Sequence, residues 1–185
     1  MANSFDFPVR PLRRVEYDKL VELGAFQGER IELLEGRLVH MSPIGAPHTS
    51  TVDKLLRLFV PLFDRALVRV QGPVAVSEDS EPEPDVALIP LGNYDAEHPH
   101  RAYLLIEVAE SSLKYDRGPK LRVYAESGVP EYWIVNLLER CIEVYRKPAS
   151  GRYWTVESVD EHGIVSPEAF PDYALRVADV LPAAK

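Results

Sequence analysis

The sequence predicts an α/β fold: a mixed β-sheet flanked by helices, preceded by an N-terminal helix and β-hairpin. Three observations lead there. Tyr103–Ala109 is nearly all apolar, the mark of a strand covered on both faces. Helical periodicity appears three times, each time separated by short β-type runs. The resulting order, αββαβββαβββ, leaves a mixed sheet with helices on its faces. A length of 185 residues fits one domain over residues 1–185, with its core at about 12–160. No internal repeat or linker interrupts it.

Residues 14–26 read as a helix with Val15, Leu20, Leu23 and Phe26 near one face and Gly28 as its stop. Arg30–Leu34 and Arg37–Met41 form a hairpin through Glu35-Gly36, a weaker turn signal than Asn-Gly. From His48 to about Phe63, Val52, Leu55, Leu56, Phe59 and Phe63 recur at helical spacing. Pro61 predicts a kink or early end there. Ala66–Val76 reads as a strand, 77–84 as an acidic loop and Asp85–Ile89 as a short buried strand. After Tyr103–Ala109, Asp116 is placed to cap a helix from Arg117, with Pro119 in its first turn and Gly128 at its end. Glu131–Asn136, Cys141–Arg146 and Tyr153–Val159 are strands, and the tail from Ser166 reads as irregular.

Composition excludes several classes. With 46% hydrophobic and 27% charged residues the chain is an ordinary globular protein, neither disordered nor fibrous. No stretch approaches the roughly 20 apolar residues of a membrane span. The first residues lack the basic and apolar regions of a signal peptide. A lone cysteine, Cys141, fits a reducing cytoplasm. The net charge of −8 gives no bulk attraction for polyphosphate, so handling nucleic acid requires a local basic patch or a bridging metal. Residues 75–97 carry seven acids and no Lys or Arg; residues 101–125 carry five basic residues against three acids. The second stretch is either a phosphate-facing patch or an ordinary mixed helix surface.

Glu107 stands out because it sits in the most apolar strand. Burying an ionised carboxylate is costly unless it is paired or binds a metal. It is either a strand-end glutamate paired with a nearby arginine or a ligand. Asp85 opens a strand 22 residues earlier and by itself reads equally as a turn residue. Together the two carboxylates offer hard oxygen ligands for a divalent cation. Lys120 follows on the next helix. Arg117 and Tyr124 share its side, while Leu121 and Ala125 can face the sheet. Alone, Lys120 reads as a solvated surface lysine. Glu32 is a further carboxylate in apolar company, among Ile31, Leu33 and Leu34; Glu35 reads as a turn residue.

The runs Glu107–Tyr124 and Gly128–Val135, with Arg30–Val39, Met41–Pro43, His48 and Pro84–Val86, resemble in matching order the Uma-type putative restriction endonuclease family. That family lies within the PD-(D/E)xK nuclease superfamily. The resemblance implies a restriction-endonuclease-like fold and metal-dependent phosphodiester hydrolysis of nucleic acid, with DNA as the substrate. Asp85 and Glu107 take the two acidic positions, and Glu32 matches the N-terminal glutamate. These three are expected to hold Mg²⁺ or Mn²⁺. Where the superfamily usually has its lysine, this chain has Ala109, and Lys120 matches the lysine moved to the next helix. His48 matches a histidine opening the long helix and, with Arg117 and Tyr124, is expected at the substrate. The common Val-Asp-Pro is here Val135-Asn136-Leu137, a changed turn.

No nucleophile elbow, P-loop or dinucleotide fingerprint is present. His98 and His100 lack the further ligands a zinc site needs. The competing reading is an inactive nuclease fold serving as a homodimeric binding or scaffold module. The acidic charge and Ala109 favour it; the retention of four charged site residues opposes it. A homodimer is expected in either case, from the aromatic-rich late strands Tyr132, Trp133, Tyr145, Tyr153 and Trp154.

Overall fold

The computed structural model describes residues 8–183. A short helix, α1 (Arg14–Glu22), precedes the hairpin β1 (Ile31–Leu34) and β2 (Arg37–His40). Helix α2 (Ala46–Phe59) follows, and Pro61 converts its end into a 3₁₀ turn over Val60–Leu62. The main sheet contains β3 (Leu67–Val70), β4 (Val86–Ile89), β5 (Leu104–Ala109), β6 (Glu131–Asn136), β7 (Cys141–Ala149) and β8 (Arg152–Asp160). They lie side by side in sequence order, and β5 with β6 is the one parallel pair. The expected mixed sheet with flanking helices is therefore present.

A parallel pair needs a crossover, because no hairpin can reverse the chain twice in a few residues. Here the crossover is α3 (Leu113–Tyr115), a π-helical turn over Asp116–Lys120, and α4 (Leu121–Glu126). Pro119 lacks the N–H that an α-helix needs and its ring crowds the preceding turn. The ladder widens instead, so that Leu121 N–H donates to the Asp116 carbonyl five residues back. The sequence placed Asp116 outside this helix as its cap; it lies within it.

Each face of the sheet has its own apolar layer. Leu55 and Phe59 of α2 cover Leu88, Leu104, Ile106 and Trp133. Tyr124 and Ala125 of α4 cover Leu105, Ala109, Tyr132 and Ile134 on the other face. The tail expected to be irregular also contributes. It forms β9 (Ile164–Val165), β10 (Leu175–Arg176) and α5 (Val177–Val180), with Val177, Val180 and Leu181 buried in the α2 layer. Its turn-rich composition hides the spacing of those few apolar residues.

Three further expectations are corrected. The first helix ends at Glu22, and Gly24 takes positive φ soon after. The strand expected over 66–76 stops at Val70, because Gln71 turns to φ 46° ahead of Gly72 and Pro73. Of the late aromatics invoked for a dimer, Tyr132, Trp133, Tyr145 and Tyr153 are buried in the chain's own core; Trp154 is 65% exposed. No helix among the described residues is long and apolar enough to cross a membrane.

Segment 78–83 sutures the hairpin to the sheet. Gly36 N–H donates to the Asp79 carbonyl at 2.7 Å and Glu81 N–H to the Leu33 carbonyl at 2.8 Å. The turn makes this possible, since Glu35 (φ 49°) and Gly36 (φ 69°) are both left-handed. A Cβ at Gly36 would lie 2.3 Å from Pro11 Cβ and 2.9 Å from backbone. Gly36→Ala is therefore expected to destabilise the protein by about 2 kcal/mol or more. Gly118→Ala, where the added methyl meets nothing within 4 Å, should instead gain up to about 1 kcal/mol. Urea unfolding of both variants checks the contrast.

Candidate active site

Asp85 immediately precedes β4, and Glu107 lies in the neighbouring β5. Asp85 Oδ2 accepts from Val108 N–H at 2.8 Å and lies 2.9 Å from His48 Nε2. His48 projects from the first turns of α2, which Gly45 and Pro47 open. Glu107 faces α4, and its Oε1 accepts from Lys120 Nζ at 2.8 Å and Tyr124 OH at 2.7 Å. The π-turn places Lys120 at this point, one residue before α4 resumes.

Glu32, in β1, completes the cluster. Its Oε2 lies 3.3 Å from Lys120 Nζ and accepts from Glu83 N–H at 3.0 Å; its Oε1 accepts from Tyr115 OH at 3.4 Å. Thus Asp85, Glu107, Lys120, Glu32 and His48, spread over 89 residues of sequence, line one cavity of about 280 Å³. Every protein partner of the Asp85 carboxylate meets Oδ2, and every partner of Glu107 meets Oε1. Asp85 Oδ1 and Glu107 Oε2 have no partner among the described residues, and neither is a sealed, orphaned atom.

The electrostatics follow from burial. Glu107 is 4% exposed, and loss of water raises its pKa well above the carboxylate range, with Lys120 opposing and Asp85 adding to the rise. Burial alone would pull Lys120 down. Glu107, Glu32 and Asp116 outweigh it and hold the ammonium charged. Burial and the Glu107 carboxylate keep Tyr124 a neutral phenol able to donate.

Two expected substrate residues lie elsewhere. Arg117 turns away to grip Glu143 through Nε (2.9 Å) and Nη2 (2.7 Å), because the widened turn rotates it out of line with Lys120. Tyr124 is fully buried behind Glu107 and supports that carboxylate from the protein side. Glu139, Cys141 and Glu143 also cluster within 4.8 Å. Arg117 already bridges both glutamates, which leaves the pair with one net negative charge and its Glu143 oxygens engaged by the guanidinium.

Sequence reasoning missed Asp116, Tyr115 and Arg30 on the cavity wall. The available signal for Asp116 was its i,i+4 spacing from Lys120, obscured by its resemblance to a cap. Asp116 is 2% exposed, and burial raises its pKa from 3.8 to about 6, against the pull of Lys120 and a 2.6 Å hydrogen bond from Ser112 Oγ. The folded state therefore holds this proton more tightly than the unfolded chain. Its stabilising effect is full below pH 3.8 and is lost as pH rises through 6. Asp116→Asn should raise stability above pH 6 by about 1–3 kcal/mol and bring no gain below pH 4. Thermal melts across that range test the sign.

The Uma2 family model, described as "Putative restriction endonuclease", matches residues 15–178. No curated protein matches the chain. Among solved structures, a "putative nuclease belonging to DUF820" from Anabaena variabilis ATCC 29413 superposes with a TM-score of 0.71 at 16% identity, over 92% of this chain and 97% of that one. At that identity the likeness speaks for the fold, a nuclease-type mixed sheet. The family match runs from α1 to α5 and includes all five cavity residues named above, and on it the chain belongs to the Uma2 putative restriction endonuclease family.

Proposed function

We propose that this protein is a metal-dependent endonuclease that hydrolyses phosphodiester bonds in DNA. The observation that carries this reading is the pair of open oxygens, Asp85 Oδ1 and Glu107 Oε2, beside a charged Lys120 in one cavity. Hard carboxylate oxygens on neighbouring strands fit Mg²⁺ or Mn²⁺. Asp85 and Glu107 would hold the ion. Glu32 was expected as a third ligand, but Lys120, Glu83 N–H and Tyr115 occupy its oxygens, so we assign it to positioning Lys120.

When bound, the ion polarises a phosphate oxygen and lowers the pKa of water. The chain's own residues do the rest. Val108 N–H and His48 fix the Asp85 carboxylate, and Tyr124 fixes Glu107. Lys120 carries a positive charge to the reacting phosphate and stabilises negative charge as it accumulates there. His48 and Arg30 line the same cavity, which supports a role for both in contacting substrate. The single buried cysteine remains the basis for proposing a cytoplasmic location.

We also propose a homodimer, now on different grounds. Strand β8 is an edge, with no backbone partner for 152–159 beyond β7 among the described residues, and Trp154 and Val156 are exposed on it. Edge pairing between two copies would satisfy that backbone. Light scattering should return twice the 20.9 kDa chain mass; a return of the monomer mass across the micromolar range refutes it.

A plasmid-nicking assay in Mg²⁺ or Mn²⁺ tests the activity. Asp85→Ala, Glu107→Ala and Lys120→Ala should each lower turnover by about 10²-fold or more. Metal titration separates them. Either carboxylate variant should lose affinity for the ion, whereas Lys120→Ala, which removes a nearby positive charge, should bind it as well or better. Plasmid, linear DNA and RNA all left intact, with no metal binding, would leave the non-catalytic scaffold reading in its place.

A further inference from the structure

Resting on the nuclease reading, we infer that the cavity receives one nucleotide unstacked from its strand, so that the substrate class is single-stranded or frayed nucleic acid rather than intact duplex.

The first argument is depth. Glu32, Asp85, Glu107 and Lys120 are all below 9% exposed and stand on the wall of a cavity of about 280 Å³. A recess of this size is too narrow to admit a stacked base pair, so a duplex can offer it only the outer edge of its backbone. A nucleotide swung out of its stack reaches it, as happens in enzymes that act on extruded bases.

The second argument is the lining opposite the acids. The strand end and loop that close the hairpin supply Val39, Met41, Pro43 and Ile44 to the wall, and α3 supplies the Tyr115 ring. Carboxylate chemistry has no use for this apolar surface. Ile44 remains 41% exposed. Apolar side chains of this kind part base steps, and aromatic rings stack on the released base.

The third argument is charge. Duplex binding relies on many Lys and Arg contacts to phosphates. Arg30 and Lys120 are the cavity's two Lys or Arg residues, and Glu107 and Glu32 already engage Lys120. Glu110 stands on the same wall, and the chain carries −8. A surface this acidic is poor for a continuous polyanion. It is less unfavourable for a single strand, which brings one phosphate per step, than for a duplex, which brings two.

Fluorescence anisotropy tests this with a labelled oligonucleotide offered as a single strand and as a blunt duplex of the same sequence. Ca²⁺ is present in both, so that binding is read without turnover. The single strand should bind at least about tenfold more tightly. Met41→Ser combined with Ile44→Ser, checked for an unchanged melting temperature, should cost the single strand about tenfold and leave the duplex unaffected. Equal or tighter binding of duplex, binding of neither, or an indifferent double variant overturns the inference. Wild type that cuts both forms equally in Mn²⁺ also overturns it while sparing the nuclease reading. Failure to cut either form strikes the nuclease reading alone, since the binding preference is measured separately.

Discussion

The structure is organised around a buried ammonium among carboxylates. Lys120 is 4% exposed, Glu107 and Glu32 lie 2.8 and 3.3 Å away, and Asp116 adds to the field. Removing such ions from water costs several kcal/mol each, repaid only when geometry and supplementary hydrogen bonds are good. The rest of the fold supplies that geometry. The sheet brings Asp85 and Glu107 together, the hairpin delivers Glu32, and the crossover delivers the lysine. Tyr124, Tyr115 and the Glu83 and Val108 amides add hydrogen bonds to these carboxylates and leave Asp85 Oδ1 and Glu107 Oε2 open. An arrangement that is costly to bury is therefore maintained by several independent elements.

The order of the elements was legible in the sequence because each carried its own period. The run Tyr103–Ala109 marked the central strand, and Glu107 was visible as a misfit within it. Lys120 was legible only in company. Composition could not distinguish it from a surface lysine, and the resemblance of the whole ordered set singled it out. Glu35-Gly36 gave the hairpin correctly despite a modest turn signal, because both residues adopt the left-handed region.

What stayed hidden was mostly non-local. Pro119 next to a plausible cap reads as a helix start, and nothing in the local sequence separates that from a widened turn inside a helix. That one ambiguity concealed Asp116 on the cavity wall and misdirected Arg117, whose real partner, Glu143, lies 26 residues away. The break after Val70 had a signal in Gly72-Pro73, outweighed by the β-branched run before it. The buried tail residues Val177 and Val180 sit too sparsely among turn formers for any period to emerge.

The crossover has one more consequence. Its lysine and the sheet's carboxylates ride on different structural units, joined by side-chain contacts and the Arg117–Glu143 clasp rather than by a strand ladder. Segments held this way open locally at a fraction of the global unfolding free energy. Fraying of residues 113–120, with Tyr124 and Ala125 still packed on the sheet, would withdraw the lysine and leave the six-stranded sheet and its acids standing. The protein would then be folded yet without its buried ammonium. Such a state would look native to circular dichroism of the sheet and differ only in the amide exchange of one short helix.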